Sequence, residues 1–351
     1  MTDIATSQAP ARRLGFPQSR NGVLLALTAC QTASALAICL VLGQPFAIST
    51  LSVLVMLGTT LFPTFLLVVL GAYFLRLAVH VRPDRPIQHF VRDIRAVMLD
   101  WDRLRIGLIA LLAMTIFTGF FSLNKSHITL LQPFTWDTAF AQLDRLLHFG
   151  NDPYVLLQPL LGTPLATSII NAAYHFWFFL MYFLLFMACF DKNDVAHSGA
   201  YLIALILCFA LGGNLLATVF SSAGPVYYAE FGFGQDFVPL MDMLNRFHEV
   251  SPVWALNVQD MLLAGHYGEG PVKGISAMPS MHVASTVIIT AYAFTWQRWA
   301  GWLMVGFTAL IMLGSVHLGW HYAIDGYFGA LLALVCWWIA TRVSRPAKPL
   351  R

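Results

Sequence analysis

Two short stretches in the C-terminal third hold the residues whose types and spacing could do chemistry. Asp325 is the one acidic residue inside the long apolar runs of the chain, and the only acidic residue after Glu269. A carboxylate at membrane depth is costly and calls for a partner. His321 stands four residues earlier, and on one helix the two side chains share a face. A carboxylate that pairs with an imidazole fixes its tautomer and raises its basicity, as a nucleophilic or proton-transferring histidine requires. The second stretch is Ser276-Ala277-Met278-Pro279-Ser280-Met281-His282, which leads into another apolar run. Pro and Ser are helix-start signals, so the free N–H groups of that helix point back into the preceding loop, where the dipole favours an anion. Lys273 and Gly274, just upstream, add a cation and a flexible backbone, which together make a phosphate cradle.

These residues must be positioned by membrane helices. Of 351 residues 58% are apolar and 11% charged, against about 45–50% and about 25% in soluble proteins. Mean hydropathy is +0.69. That composition excludes a soluble enzyme, a disordered chain and a nucleic-acid binder, and leaves an all-α polytopic transmembrane bundle. Runs of bilayer-crossing length fall at about 22–43, 48–75, 106–123, 165–190, 199–220, 281–297, 301–318 and 322–341, which gives about eight spans, the first of them retained. With the N-terminus in the cytoplasm, 16 of the 20 lysines and arginines fall inside; Lys125, Arg145, Arg246 and Lys273 lie outside. The five cysteines sit in apolar runs without paired spacing and read as buried small hydrophobes.

This topology brings the two stretches together. The sixth span runs inward from His282, the seventh returns, Gly319 ends it, and His321 and Asp325 open the eighth at the outer face. Two outer loops remain, at about 124–164 and 221–280. The second is too long to be structureless and predicts short interfacial helices. Leu240, Met243, Leu244 and Phe247 have helical spacing there, as do Phe140, Leu143 and Leu147 beside Asp144 and Arg145 in the first loop. Such helices suit either an acyl-chain entrance or packing on the bundle. The Arg-rich segment 76–105 reads as a cytoplasmic surface helix, with Phe90, Ile94, Val97 and Trp101 facing lipid.

Pro279-Ser280-Met281-His282 and His321-Tyr322-Ala323-Ile324-Asp325-Gly326 resemble the second and third motifs of the type 2 phosphatidic acid phosphatase superfamily. Within it, Leu143-Asp144-Arg145-Leu146-Leu147-His148-Phe149-Gly150 and the loop Ser222-Ala223-Gly224-Pro225 resemble segments of the inositol phosphorylceramide synthase branch, the aureobasidin-sensitive inositolphosphotransferases. The resemblance covers about 130–335. It implies a six-helix core within 106–342 and leaves the first two spans unexplained; the apolar runs and the distribution of basic residues give two accessory spans and a basic segment over 22–105, and cytoplasmic tails at 1–21 and 343–351. It further implies double displacement without metal or cofactor: His321 takes the phosphoryl group, Asp325 orients it, and His282 acts as acid on the leaving alkoxide and then as base on the acceptor. Lys273, Gly274, Ser280, Met281, His317, Arg246, Asp144 and Arg145 are the candidate substrate- and phosphate-binding residues. The expected partner is a lipid in the bilayer, and the expected location an integral protein of the cell (inner) membrane with the site on the extracytoplasmic face.

The chain departs from the phosphatase branch. The nearest string to its KxxxxxxRP motif, Arg76 to Arg82-Pro83, has the wrong spacing and the wrong side, and Ser315 stands where that branch has an Arg six residues before the nucleophile. Both departures favour the transferase branch, with a lipid or polyprenyl phosphate phosphatase as the alternative. Three other readings stay open on the residues alone. His317, His321 and Asp325 form HxxxHxxxD, which also suits zinc. An inert structural His–Asp pair is a second, and a lipid or proton-coupled transporter a third, although the sequence lacks the paired broken segments such a transporter shows. Tyr174, His175 and Asn171 are cavity or bundle polarity, and the aromatics at 176–179 and 337–338 read as lipid-facing belts.

Overall fold

The structure, a computed structural model, describes residues 20–46, 55, 57–270 and 273–344, which are all-α without strands among them. Seven helices are long and apolar enough to cross a membrane, and Met281–Trp296 is a shorter apolar helix at the sixth expected position. The eight expected spans are thus all represented. Of the second, expected at 48–75, the described part runs over Gly58–Val81 and so extends past the expected end, while residues 47–54 and 56 lie outside the described set. It ends where Arg82 takes a left-handed φ of +47°, immediately before Pro83, a combination that cannot continue a helix.

In chain order the helices are α1 (Arg20–Leu42), α2 (Phe62–Arg76, with a wider π-helical turn at each end), α3 (Pro86–Met98), α4 (Trp101–Ser126), α5 (Asp137–Leu147) and α6 (Pro153–Leu161). Then follow α7 (Pro164–Phe190), α8 (Val195–Cys208, prolonged by a π-helical stretch Phe209–Leu216), α9 (Val238–Val250), α10 (Trp254–His266), α11 (Met281–Trp296), α12 (Arg298–His317) and α13 (Ala323–Val343). Helices α4, α7, α8, α11, α12 and α13 pack around one another, and α1 lies against α4 and α8. Helix α2 touches the bundle through Phe62 and Phe65 on Phe183 and Phe186, and exposes most of its surface. Phe90 of the amphipathic α3 packs on Tyr73 and Phe74 of α2, while Ile87, Val91, Val97 and Met98 are exposed.

One end of the bundle is tied by basic side chains. The Arg20 guanidinium donates to the carbonyls of Ala188 at 2.9 Å and Cys189 at 2.8 Å; Arg103 donates to that of Phe190, and Lys192 pairs with Asp100. Arginine at a helix end satisfies carbonyls that α7 leaves open. The loops holding the candidate residues gather at the opposite end.

Both of the long loops contain helices; α9 turns inward the apolar residues picked out by their spacing, whereas α5 does not. Leu240, Met243 and Leu244 of α9 are buried, which is packing on the bundle. Helix α5 buries Asp137, Phe140, Ala141 and Asp144, and exposes Leu143, Leu146 and Leu147. Two carboxylates therefore occupy the inner face of an amphipathic helix. Cys30 is exposed, unlike the other four cysteines.

Candidate active site

The turn between α12 and α13 presents His321. Gly319 adopts φ +74°, a conformation that favours glycine, and lets the chain fold back so that the N–H groups of both Trp320 and His321 donate to the Ser315 carbonyl at 3.0 and 3.1 Å. His321 thus precedes α13 instead of riding on it. The pair with Asp325 is made by helix-cap geometry, not by neighbouring turns of one helix: Asp325, at the third helical position, accepts the Tyr322 N–H at 3.0 Å on the same Oδ2 that faces His321 Nδ1 at 3.3 Å. Its second oxygen is buried without a hydrogen-bond partner among the described residues. Nδ1 is turned to the carboxylate, the ring also has a hydrogen bond with the Ala277 backbone, and Nε2 is the nitrogen that does not face Asp325.

Helix α11 begins at the same place. The Ser280 hydroxyl accepts the Val283 N–H at 3.5 Å, and the Ser280 N–H donates to the Asp325 carbonyl at 3.0 Å, which stitches the two helix starts together. Gly329 permits this approach, since a Cβ there would lie 2.6 Å from the Ser280 carbonyl oxygen. The His282 ring is then 6.1 Å from that of His321, centroid to centroid. It packs against Tyr174 at 4.3 Å and Trp177 at 4.1 Å, both on α7, and Trp177 is itself fixed by an indole N–H bond of 2.8 Å to the Ser285 hydroxyl. Trp177 is buried in the bundle, so this member of the 176–179 cluster is not a lipid-facing belt residue.

The two carboxylates of α5 hold the surrounding backbone. Asp137 accepts the Ala223 N–H at 2.9 Å, the Gly224 N–H at 2.8 Å and the Tyr322 hydroxyl at 2.8 Å. Asp144, two helical turns on, accepts the N–H groups of Ala323 at 2.7 Å and Ile324 at 3.0 Å, the open amides at the start of α13. Burial pushes Asp144 up to about 6 against the pull of those two amides, and raises Asp137 in the same way. The loop that Asp137 holds in turn accepts the N–H groups of Ala277 and Met278 on the Ser222 carbonyl and hydroxyl. One network therefore links α5, the 222–225 loop, the 276–282 stretch and the 317–325 turn.

Beside the two histidines opens a cavity of about 670 Å³. Its walls are largely aromatic and aliphatic, including Met114, Phe117, Phe121, Phe178, Tyr182 and Leu185, and its polar margin includes Lys125, Tyr174, His175, Ser276, His282, Trp320 and His321. Lys125, in the last turn of α4, is the one lysine or arginine among the described residues that line it. Gly274 faces Lys125 so closely that a Cβ would meet the lysine stem at 2.8 Å, and its φ of +106° favours glycine.

The other candidates are distributed around this centre. Gly274 and Met281 line the cavity, and Ser280 caps α11. Lys273 and Arg246 are exposed and do not line the cavity. Arg145 is engaged with Asp152 at 2.8 Å and Asp236 at 2.6 Å, and the Asp144 carboxylate is engaged with α13. His317 is buried with Nε2 2.8 Å from the Thr167 hydroxyl, apart from the His321–Asp325 pair; among the described residues no group of three or more His, Cys, Asp or Glu is arranged to hold a metal. Asn171 accepts the Ala255 N–H. Lys125 is absent from the candidate set drawn from the sequence, although a signal for it exists. Lys125 to Gln132-Pro133 has the spacing of KxxxxxxRP, with glutamine in place of arginine.

The geometry agrees with the comparison to known families. A model of the PAP2 superfamily matches residues 138–339, and the chain belongs to that superfamily. No curated protein and no solved structure matches the chain. Membership supports lipid phosphatase or phosphotransferase activity in general. The matched stretch begins after α4, so Lys125 reaches the site from outside it.

Proposed function

We propose that the protein is a membrane lipid phosphotransferase of inositolphosphotransferase type, which moves a phosphoryl or phospho-alcohol group through a phosphohistidine. The observation that carries this reading is the convergence of His282, the His321–Asp325 pair and Lys125 on the margin of an apolar cavity large enough for lipid chains. In the first step His321 Nε2 attacks phosphorus, the P–O bond to the leaving alcohol breaks, and His282 gives that oxygen a proton. In the second step His282 takes the proton of the incoming hydroxyl, whose oxygen forms the new P–O bond as the P–N bond breaks. Asp325 stabilises the positive charge on the His321 ring, and Lys125 balances charge on the phosphoryl oxygens.

The same residues serve a phosphatase when water is the acceptor. The aromatic walls favour a lipid acceptor, because an apolar cavity holds acyl chains next to the phosphorus and keeps water scarce there. The positive-inside distribution, with Arg20, Arg103 and Lys192 at the end opposite the site, supports an extracytoplasmic site with both ends of the bundle chain on the cytoplasmic side. No step in this reading uses a metal or cofactor.

The test is to supply purified protein with phosphatidylinositol plus ceramide, and separately with phosphatidic acid or a polyprenyl diphosphate, and to measure lipid products and free phosphate. A phospholipid product with little free phosphate is expected. Free phosphate alone would make the protein a phosphatase. His321→Ala and His282→Ala should each abolish turnover in folded protein, and near wild-type turnover in either variant would overturn the assignment.

A further inference from the structure

Two hydrogen-bond donors at the cavity are left over by the network and by the catalytic reading. The Tyr174 hydroxyl and the Trp320 indole N–H are both buried, and neither has a hydrogen-bond partner among the described residues. Both residues line the cavity together with His282, His321 and Lys125. Their rings lie parallel within 6°, with centroids 6.4 Å apart, and Tyr174 stacks directly on His282. A buried donor without an acceptor costs on the order of 1–3 kcal/mol, so orphaned donors are rare away from functional sites. An indole N–H can only donate, and what satisfies it must be an acceptor atom. The positions differ in kind: Tyr174 is on the middle of α7, while Trp320 is on the turn whose backbone is set by Ser315. Two unrelated elements thus bring neutral donors to one place, beside a site whose only lining lysine or arginine among the described residues is Lys125.

We infer that Tyr174 and Trp320 are substrate-binding residues that donate to the non-bridging oxygens of the phosphoryl group, and so take over charge stabilisation that further cations would otherwise supply. This inference rests on the reading of His321 as the phosphoryl acceptor. Neutral donors suit a group of low charge, because they stabilise developing negative charge on oxygen without holding an anionic product by Coulomb attraction.

Orthovanadate, which takes the shape of a phosphoryl group in transfer, is the probe. Its binding to the full-length protein in detergent is measured by calorimetry for wild type, Tyr174→Phe, Trp320→Phe and His321→Ala. Tyr174→Phe keeps the ring on His282 and removes only the hydroxyl, and circular dichroism with thermal midpoints verifies that each variant is folded. Each of the two donor variants should bind orthovanadate at least about tenfold more weakly, the loss expected for one hydrogen bond to a charged group. Wild-type affinity in both folded variants would overturn the inference while leaving the His321 reading intact. Lower phosphotransfer with unchanged vanadate affinity in Tyr174→Phe would overturn it for Tyr174, since the hydroxyl would then not act on the phosphoryl oxygens. Unchanged binding in His321→Ala would instead count against the phosphohistidine reading.

Discussion

At the scale of single residues, the candidate site divides between groups to which the proposed mechanism gives a reaction and groups that hold them. The Asp325 carboxylate touches His321 on one oxygen, at 3.3 Å, and the Tyr322 amide on the same oxygen. In the proposed mechanism its charge orients the imidazole and stabilises the imidazolium form. Asp325→Asn preserves shape and removes that charge, and should lower turnover by roughly 10²- to 10⁴-fold, the upper end matching the loss when a triad carboxylate becomes an amide. Steady-state kinetics on folded protein checks this, and a loss under about threefold would contradict the orienting role. Lys125 and Lys273 make a second comparison, because the first lines the cavity and the second is exposed. Lys125→Met should lower kcat/KM by about 10²-fold or more, as when one charge-stabilising group is deleted, whereas Lys273→Met should change it by less than about fivefold, as for exposed charges. The reverse order would return the phosphate cradle to Lys273.

At the scale of elements, the amphipathic helix α5 is the piece that hydropathy misreads. Phe140, Leu143 and Leu147 share helical spacing, yet Leu143 and Leu147 point outward and Asp137 and Asp144 point in. The reason is that buried backbone amides need acceptors more than the cavity wall needs another leucine: four N–H groups, two of the 222–225 loop and two of α13, have no other partner shown for them. Asp144 is held up to about 6 in the fold, against about 3.9 in an unfolded chain. A carboxyl raised by folding binds its proton more tightly in the native state, so its contribution to stability is largest below about pH 4 and is lost as pH rises through about 6. The stability of wild type relative to Asp144→Asn should therefore grow as pH falls from about 7 to about 4, by at most about 3 kcal/mol. Thermal midpoints in detergent at pH 5 and pH 7 test the sign, and a difference that shrinks on acidification would show that the two amides outweigh burial.

At the scale of the whole molecule, the bundle is polarised. Arg20, Arg103 and Lys192 bind carbonyls and a carboxylate at one end, while the two histidines, Asp325 and the interfacial helices stand at the other. With the basic end in the cytoplasm, Lys273 is on the outer surface. A Lys273→Cys variant in intact cells should react with a membrane-impermeant maleimide added from outside, to a similar extent before and after permeabilisation. Labelling only after permeabilisation would invert the topology and place the candidate site on the cytoplasmic side.

Much of this was legible in the linear chain because the deciding forces are local or one-dimensional. About 20 apolar residues in a row specify a span whatever surrounds them, loop cations orient spans by their side, and the scarcity of carboxylates in the spans made Asp325 conspicuous. Hence the all-α membrane bundle, the order of the spans and the closeness of His282 to His321 and Asp325 follow from sequence. The tertiary structure decided which of four cations lines the cavity beside the histidines, and chose Lys125 over Lys273, Arg145 and Arg246. It also turned the carboxylates of α5 inward, moved His321 off α13 onto a turn, and placed Trp177 and Tyr174 against His282. Those outcomes depend on which amide, ring or carboxylate a side chain meets across the bundle, and such pairings between residues far apart in the chain leave no periodic trace in it.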